Sequence, residues 1–318
     1  MAAFFGFHMP NYTYPGVPQD RLFDHVVEQA RAAEAAGFDL VTVMDHFYQI
    51  RGVGPETDPM LEAYTALAGI AAQTSKVKVG TLVTGVTYRN PAILAKQVAT
   101  LDVISKGRAI LGIGAAWNED EHRGYGVEFP PIGQRMDRLD EAVQIARLMF
   151  TEDRPSFEGK HYRIDRALNV PRPIQKGGPK ILIGGGGEKR TLRILAAHGD
   201  YGHWFGGPID DLKRKREVFE KHCAEVGRDP SQVTILVGVG LILTDDDRQA
   251  KAILDSLPAE RRPMVRTARF DQAADILRPF LDAGFGGFTF NNPTLPTVES
   301  IQRFGEVIKS VRQSSVAA

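Results

Sequence analysis

The stretch ILIGGGGEKRTLRIL (181–195) sets Gly184, Gly185, Gly186 and Gly187 between an apolar, strand-like run and an amphipathic, helical one. Glycine inside a strand or helix costs stability, so four in a row imply a use for bare backbone. The chemistry they suit is anion binding. Backbone N–H groups beside a helix N-terminus can cradle a phosphate. A flexible turn is the alternative for this stretch taken alone.

The elements that must position these residues follow from hydrophobic patterning. Short β-branched or apolar runs at 4–8, 38–45, 76–84, 107–114, 180–184, 199–205, 234–243 and 286–291 read as strands. Amphipathic runs between them read as helices: Gln19–Ala36, Glu62–Gln73, Pro91–Ile104, Arg135–Phe150, Glu188–His198, Ile209–Val226, Asp271–Ala283 and Thr297–Gln313. Asn90 before Pro91 has the form of an N-cap followed by proline at the first helical position. AEAAGFD (33–39) and FLDAGFGG (280–287) each stop a helix at Ala-Gly, the glycine offering a left-handed cap. Eight strand–helix repeats predict an α/β fold, a (β/α)8 TIM barrel with insertions after strand 4 and strand 7, built as a single domain over 1–318. A doubly wound open sheet is the alternative, because periodicity does not give strand order. The two long connections, 114–180 and 244 to about 270, belong over the C-terminal mouth if the fold is a barrel.

In a barrel, function collects just past the strand ends. Those positions hold His8 and Asn11, Asp45-His46, Thr84-Gly85, Gly114-Ala115-Ala116-Trp117-Asn118, the four glycines, His203-Trp204, Thr244 and Asn291-Asn292. A metal hydrolase would want a His-x-His pair on an early strand, and the first strand offers only His8, so no metal site is expected. A glycosidase would want two carboxylates on separate strand ends, and only Asp45 qualifies clearly. A Schiff-base lysine would sit at a strand end, whereas Lys180 starts its strand. What remains is one Asp-His pair, small residues, aromatics and a phosphate cradle. That inventory suits a flat, phosphorylated cofactor on apolar walls. Ala115 and Ala116 leave room for a ring that Trp117 or Trp204 could flank; loop packing is the alternative for both tryptophans.

The composition bounds the partners. Lys+Arg and Asp+Glu both total 39, which gives no net charge to attract nucleic acid or an acidic membrane surface. A lone cysteine, Cys223, excludes an internal disulfide and fits a reducing compartment, and its helical setting reads as a buried thiol. The start, MAAFFGFHMPN, is too short and broken for a signal peptide, and no apolar run approaches a membrane span. A cytoplasmic protein acting on a small molecule is expected.

Four segments then carry a resemblance that spans nearly the whole chain: VTVMDHF (41–47), VGTLVTGVTYRNPAILAKQVATLD (79–102), GRAILGIGAAWNEDEHRGYG (107–126) and KILIGGGG with AAHGDY (180–201). Together they resemble the bacterial luciferase-like flavin and deazaflavin oxidoreductases, most closely the subgroup that uses coenzyme F420. The resemblance implies a (β/α)8 barrel with an insertion after the fourth strand. It implies that Gly184–Gly187 and a helix starting at Glu188 hold the cofactor phosphate. It further implies a bulge with a cis peptide at Leu82-Val83 that props the ring, with Thr84 and Gly85 at the ring edge, and matches Trp117 and Asn118 to cofactor positions; Gly114, Ala115 and Trp204 are expected to contact the cofactor from their strand-end positions. Asp45-His46 matches the pair near the ring's reactive face, His46 positioning substrate or moving a proton and Asp45 orienting it. Loop capping is the alternative for Asp45, and the roles of His8, His122 and Tyr125 stay open.

The leading expectation is an F420-dependent oxidoreductase that transfers hydride, with FMN-dependent luciferase-like monooxygenase chemistry as the alternative. The FMN reading would add a flavin reductase as partner. A non-catalytic flavin-binding protein is the rival of another class. The resemblance also implies a homodimer. The basic run LKRKRE (212–217) could meet the acidic tail of the deazaflavin; a solvated helix face is the other reading.

Overall fold

The computed structural model describes residues 2–256, 262 and 265–314. Eight parallel strands close into a barrel: β1 (Phe4–Met9), β2 (Leu40–Val43), β3 (Lys78–Thr81), β4 (Ala109–Gly114), β5 (Lys180–Gly184), β6 (Tyr201–Phe205), β7 (Thr234–Gly238) and β8 (Gly287–Asn291). Each pairs with its neighbour in the chain, β8 returns to β1 through Phe4↔Gly287 to His8↔Asn291, and β3 meets β4 through Val79↔Ala109. The doubly wound alternative is thereby excluded, since an open sheet would leave two edges unpaired.

Alternation along the strands divides the core in two. Phe5, Phe7 and Met9 on β1, Val41 and Val43 on β2, and Phe288 and Phe290 on β8 are buried outward against the helices. The helices are α1 (Leu22–Ala36), α2 (Ala63–Gln73), α3 (Pro91–Ile104), α4 (Glu119–Tyr125), α5 (Ile132–Thr151), α6 (Thr191–His198), α7 (Ile209–Glu225), α8 (Asp247–Ser256), α9 (Ala273–Asp282) and α10 (Val298–Ser314). A separate small core of Leu40, Ile110, Leu182 and Leu236 fills the barrel interior, packed by Phe4, Leu82, Val83 and Tyr201. Above it the lumen turns polar, with His8, Thr42, His203 and Thr289.

Local signals behave as their chemistry dictates. The Asn90 side chain accepts from the Ala92 amide at 2.9 Å ahead of Pro91, and Gly37 ends α1 at φ +93°. Several details differ from expectation. The run 234–243 is broken at Val239, so β7 ends at Gly238, and Gly240–Leu243 pairs instead with Val265–Ala268 in a two-stranded sheet. Thr244 therefore lies beyond that sheet and not at a barrel strand end. The remainder of this second insertion, 257–261 and 263–264, lies outside the described residues. The helix expected from Glu188 begins at Thr191, with residues 188–190 forming a turn. In the first insertion α4 and α5 are followed by a small antiparallel hairpin, Phe157–Glu158 with Arg163–Ile164.

Candidate active site

The C-terminal mouth has two unlike arcs. One runs through β3, β4 and β5 and is made of small residues. After Thr81 the third strand bulges at Leu82-Val83, whose peptide bond is cis, and resumes at Thr84–Gly85, which pairs with Ile113 and Gly114. The Thr81 hydroxyl donates to the Gly112 carbonyl at 2.7 Å and lies 2.9 Å from the Thr84 hydroxyl, which meets the Tyr64 hydroxyl at 2.8 Å. This chain of hydroxyls pins the bulge to β4 and α2.

The four glycines do separate jobs. A Cβ on Gly184 would stand 2.7 Å from Val83 Cγ2, and one on Gly114 2.9 Å from the same atom. Both glycines therefore make room for the Val83 side chain under the mouth. Gly185 has φ +112°, a conformation that glycine alone adopts readily. A Cβ on Gly186 would meet Lys215 Nζ at 2.6 Å, and one on Gly187 the Thr191 hydroxyl at 2.9 Å. So only Gly186 and Gly187 lie in an anion-binding setting, beside a lysine, a hydroxyl and the first turn of α6. Lys215 comes from the basic run 212–217, while Glu188 is held at 3.0 Å by Arg214 and Arg190 is engaged by Asp137.

The other arc runs through β6, β7, β8, β1 and β2 and is polar. His46 Nδ1 lies 2.6 Å from Glu121 Oε2. Glu121 is fully buried at the start of α4 and accepts also from the Tyr88 hydroxyl at 2.9 Å, the Tyr48 amide at 3.0 Å and the Phe47 amide. Burial works to raise its pKa; the His46 hydrogen bond and charge, with the two amides, outweigh it and hold the carboxyl below the ordinary glutamate range. An ionised carboxylate only accepts, so Nδ1–H of His46 is the donor in this pair and Nε2 is left facing away from Glu121.

Asp45 does not orient His46, contrary to expectation. Its side chain is turned away from the imidazole, and its carboxylate is bound two-pronged by Arg89 at 2.7 and 2.9 Å; Arg89 also reaches Glu62 at 2.6 Å and lies over the Tyr64 ring at 4.9 Å. Burial pushes the Asp45 pKa up against the pull of Arg89. This ion pair braces the segment that carries His46.

Deeper in the lumen, His8 Nδ1 meets the Thr42 hydroxyl at 2.9 Å and His203 Nε2 the Thr289 hydroxyl at 2.8 Å. Burial, with repulsion from the like charge His203 would carry, brings His8 down to about 3; burial alone brings His203 down to about 4. Both are neutral imidazoles at neutral pH.

Trp204 does not flank the mouth as expected. It is fully buried on the outward side of β6, edge-on to Phe219 at 6.4 Å and Phe285 at 6.0 Å. With His203 facing the lumen, its strand neighbour must face the helices. Trp117 is instead 58% exposed, 5.5 Å from the His46 ring, and emerges after Ala116 at φ +61°. Asn118 precedes α4, and its carbonyl lies 2.6 Å from His122 Nδ1. His122 Nε2 reaches the Thr87 hydroxyl at 2.6 Å, so both ring nitrogens serve packing. Tyr125 stacks on Phe47 at 4.5 Å on the rim. Glu121 and Arg89 carried no local signal, because their partners arrive from other strands. His203 stands among the strand-end positions, and period-2 alternation distinguishes its lumen-facing side chain from that of Trp204.

A family model described as luciferase-like monooxygenase matches residues 3–285. The F420-dependent glucose-6-phosphate dehydrogenase of Kineococcus radiotolerans is 40% identical over 294 residues, covering 82% of this chain and 85% of that protein. The enzyme of the same name from Nocardia farcinica is 30% identical over 300 residues, covering 84% and 88%. Among solved structures, an F420-dependent secondary alcohol dehydrogenase in complex with an F420-acetone adduct superposes with a TM-score of 0.84 at 24% identity, covering 98% of this chain and 100% of that one.

Proposed function

The chain belongs to the luciferase-like monooxygenase family, and on that premise we propose that it is an oxidoreductase using coenzyme F420 to transfer a hydride to or from a small organic molecule. The observation that carries the reading is the pairing of the two arcs: a glycine-lined cradle on one side and an oriented imidazole on the other. The small arc fits a flat phosphorylated group, because side chains at Gly114 or Gly184 would collide with Val83. Leu82, Val83, Thr84, Gly85, Gly114 and Ala115 would hold the ring, with Trp117 and Asn118 at its border. Gly186, Gly187 and Lys215 would hold the phosphate. When bound, the deazaflavin supplies the hydride chemistry.

The protein's own part is to bind, orient and move a proton. Glu121 fixes the Nδ1–H tautomer of His46, so that Nε2 takes a proton from a carbinol O–H or, once protonated, returns it to a carbonyl oxygen. His46 is the catalytic residue of this reading; Glu121 positions it, and Asp45 with Arg89 braces its backbone. The rim aromatics exclude water from the transfer. Exposed Ile93 and Ile104, three turns apart on α3, support a homodimer built across that helix, and the single buried Cys223 supports a cytoplasmic setting.

The test is a side-by-side titration of the purified protein with F420 and with FMN, followed by cofactor fluorescence. F420 is expected to bind at least tenfold more tightly. Tighter FMN binding would overturn the reading in favour of a monooxygenase supplied by a flavin reductase.

A further inference from the structure

The relatives named above are glucose-6-phosphate dehydrogenases, and a phosphate dianion demands lysine or arginine where it binds. The strand-end segments of the polar arc offer none: 8–14, 42–50, 203–209, 238–240 and 289–296 contain no lysine or arginine. Its edge carries three carboxylates, Asp45, Glu62 and Glu121, and Arg89 is already committed to the first two at 2.6–2.9 Å. These three carboxylates and the one guanidinium give the described groups beside His46 a net negative charge. His8 and His203 offer hydrogen bonds there without charge.

The rim supplies the opposite chemistry. Phe205, at the end of β6, is 81% exposed and stands edge-on 5.9 Å from the His203 ring. Trp117 stands in the same relation to His46, and Tyr125 is 56% exposed beyond Phe47. His46 and His203 thus each have an exposed aromatic ring beside them. Exposed aromatics beside the polar groups of a site offer apolar binding surface.

We infer that the substrate is an uncharged molecule, an apolar ring or chain bearing one carbonyl or carbinol group, and not a sugar phosphate. This rests on the hydride-transfer reading above. In the oxidative direction the carbinol C–H bond would break with its electron pair passing as hydride to an oxidised deazaflavin, the O–H proton would pass to His46 Nε2, and the carbonyl would form. The reverse direction returns both.

Ligand-observed saturation-transfer NMR with acetophenone and with glucose 6-phosphate tests the selectivity on the protein with and without F420. Turnover of 1-phenylethanol and of glucose 6-phosphate on the F420-loaded enzyme is measured beside it. Acetophenone is expected to bind and glucose 6-phosphate to give no saturable signal. Phe205→Ala, a surface change, should weaken acetophenone about tenfold with the F420 affinity unchanged. Saturable binding of glucose 6-phosphate at or below the acetophenone concentration range would overturn the inference, as would acetophenone binding indifferent to Phe205. Failure of F420 to bind at all would instead sink the cofactor reading, since the ligand selectivity is read independently of it.

Discussion

His46 and Glu121 are 75 residues apart in the chain and joined by a 2.6 Å hydrogen bond at the barrel mouth. One stands at the end of β2 and the other on the first turn of α4, so only the closed barrel brings them together. Glu121 is held by four donors, His46, Tyr88, Tyr48 and Phe47, which leaves it little freedom to move. Burial beside Glu121 pushes the Tyr88 hydroxyl up, so it stays protonated and donating. An acid so fully occupied acts through the imidazole it orients.

Glu121→Gln should therefore lower kcat by about 10–100-fold, the usual cost of losing a group that orients a reacting imidazole. The F420 dissociation constant should change less than twofold. A structural role alone would lower kcat only together with the unfolding midpoint; loss of the orienting carboxylate should lower kcat in a variant that stays folded. His46→Ala should abolish turnover with cofactor affinity retained, and equal loss of both would remove His46 from catalysis.

The two lumen histidines tie stability to pH. Both are lowered on folding from an ordinary 6.5, to about 3 for His8 and about 4 for His203. Between those values the unfolded chain binds more protons, so stability is full above about pH 6.5 and falls as pH drops toward 4, with a slope approaching ~1.4 kcal/mol per pH unit for each histidine. Glu121, lowered on folding, adds a loss only at more acid pH, as it falls through the folded carboxyl pKa. Urea midpoints should be clearly lower at pH 5 than at pH 7, and His203→Gln should shrink the difference by roughly half. Equal midpoints at the two pH values would contradict the buried neutral state.

What was legible in the sequence was whatever local periodicity or spacing encodes. Strand–helix alternation predicts the barrel, and Asn90-Pro91 predicts the start of α3. The family resemblance places a cis bond at Leu82-Val83, where the structure has one. What was not legible depends on side chains meeting across strands. Adjacency in sequence suggests that Asp45 serves His46, yet neighbours on an extended chain point apart, and each finds a partner elsewhere. Four glycines in a row suggest one function, whereas the fold uses Gly184 to seat Val83 and Gly186 to admit Lys215. The break at Val239 was hidden because both halves of 234–243 are strand-like.

Trp204 and Trp117 should separate cleanly on mutation. Trp204→Ala removes a fully buried indole from between Phe219 and Phe285 and should cost ~3–5 kcal/mol of stability. The F420 affinity of the folded variant should stay within twofold of the parent. Denaturant unfolding paired with a cofactor titration reads both quantities. A collapse in F420 affinity without loss of stability would return Trp204 to the site.

Gly184 and Val83 offer the sharpest test of the cradle. Gly184→Ala places a methyl where Val83 Cγ1 and Cγ2 now stand, at 2.8 and 2.7 Å, and must push the bulge toward the mouth. Overpacking of this kind costs ~1–3 kcal/mol, and the F420 affinity should fall about tenfold as the ring's support shifts. Val83→Ala in the same background removes the two methyl groups that collide and should recover most of that affinity, although Val83→Ala alone weakens binding slightly. The coupling is read from a double-mutant cycle of dissociation constants, with unfolding midpoints of all four proteins as the control. Additive losses would show that Val83 does not transmit the effect of Gly184, and the cradle would then have to rest on Gly114 and Gly85.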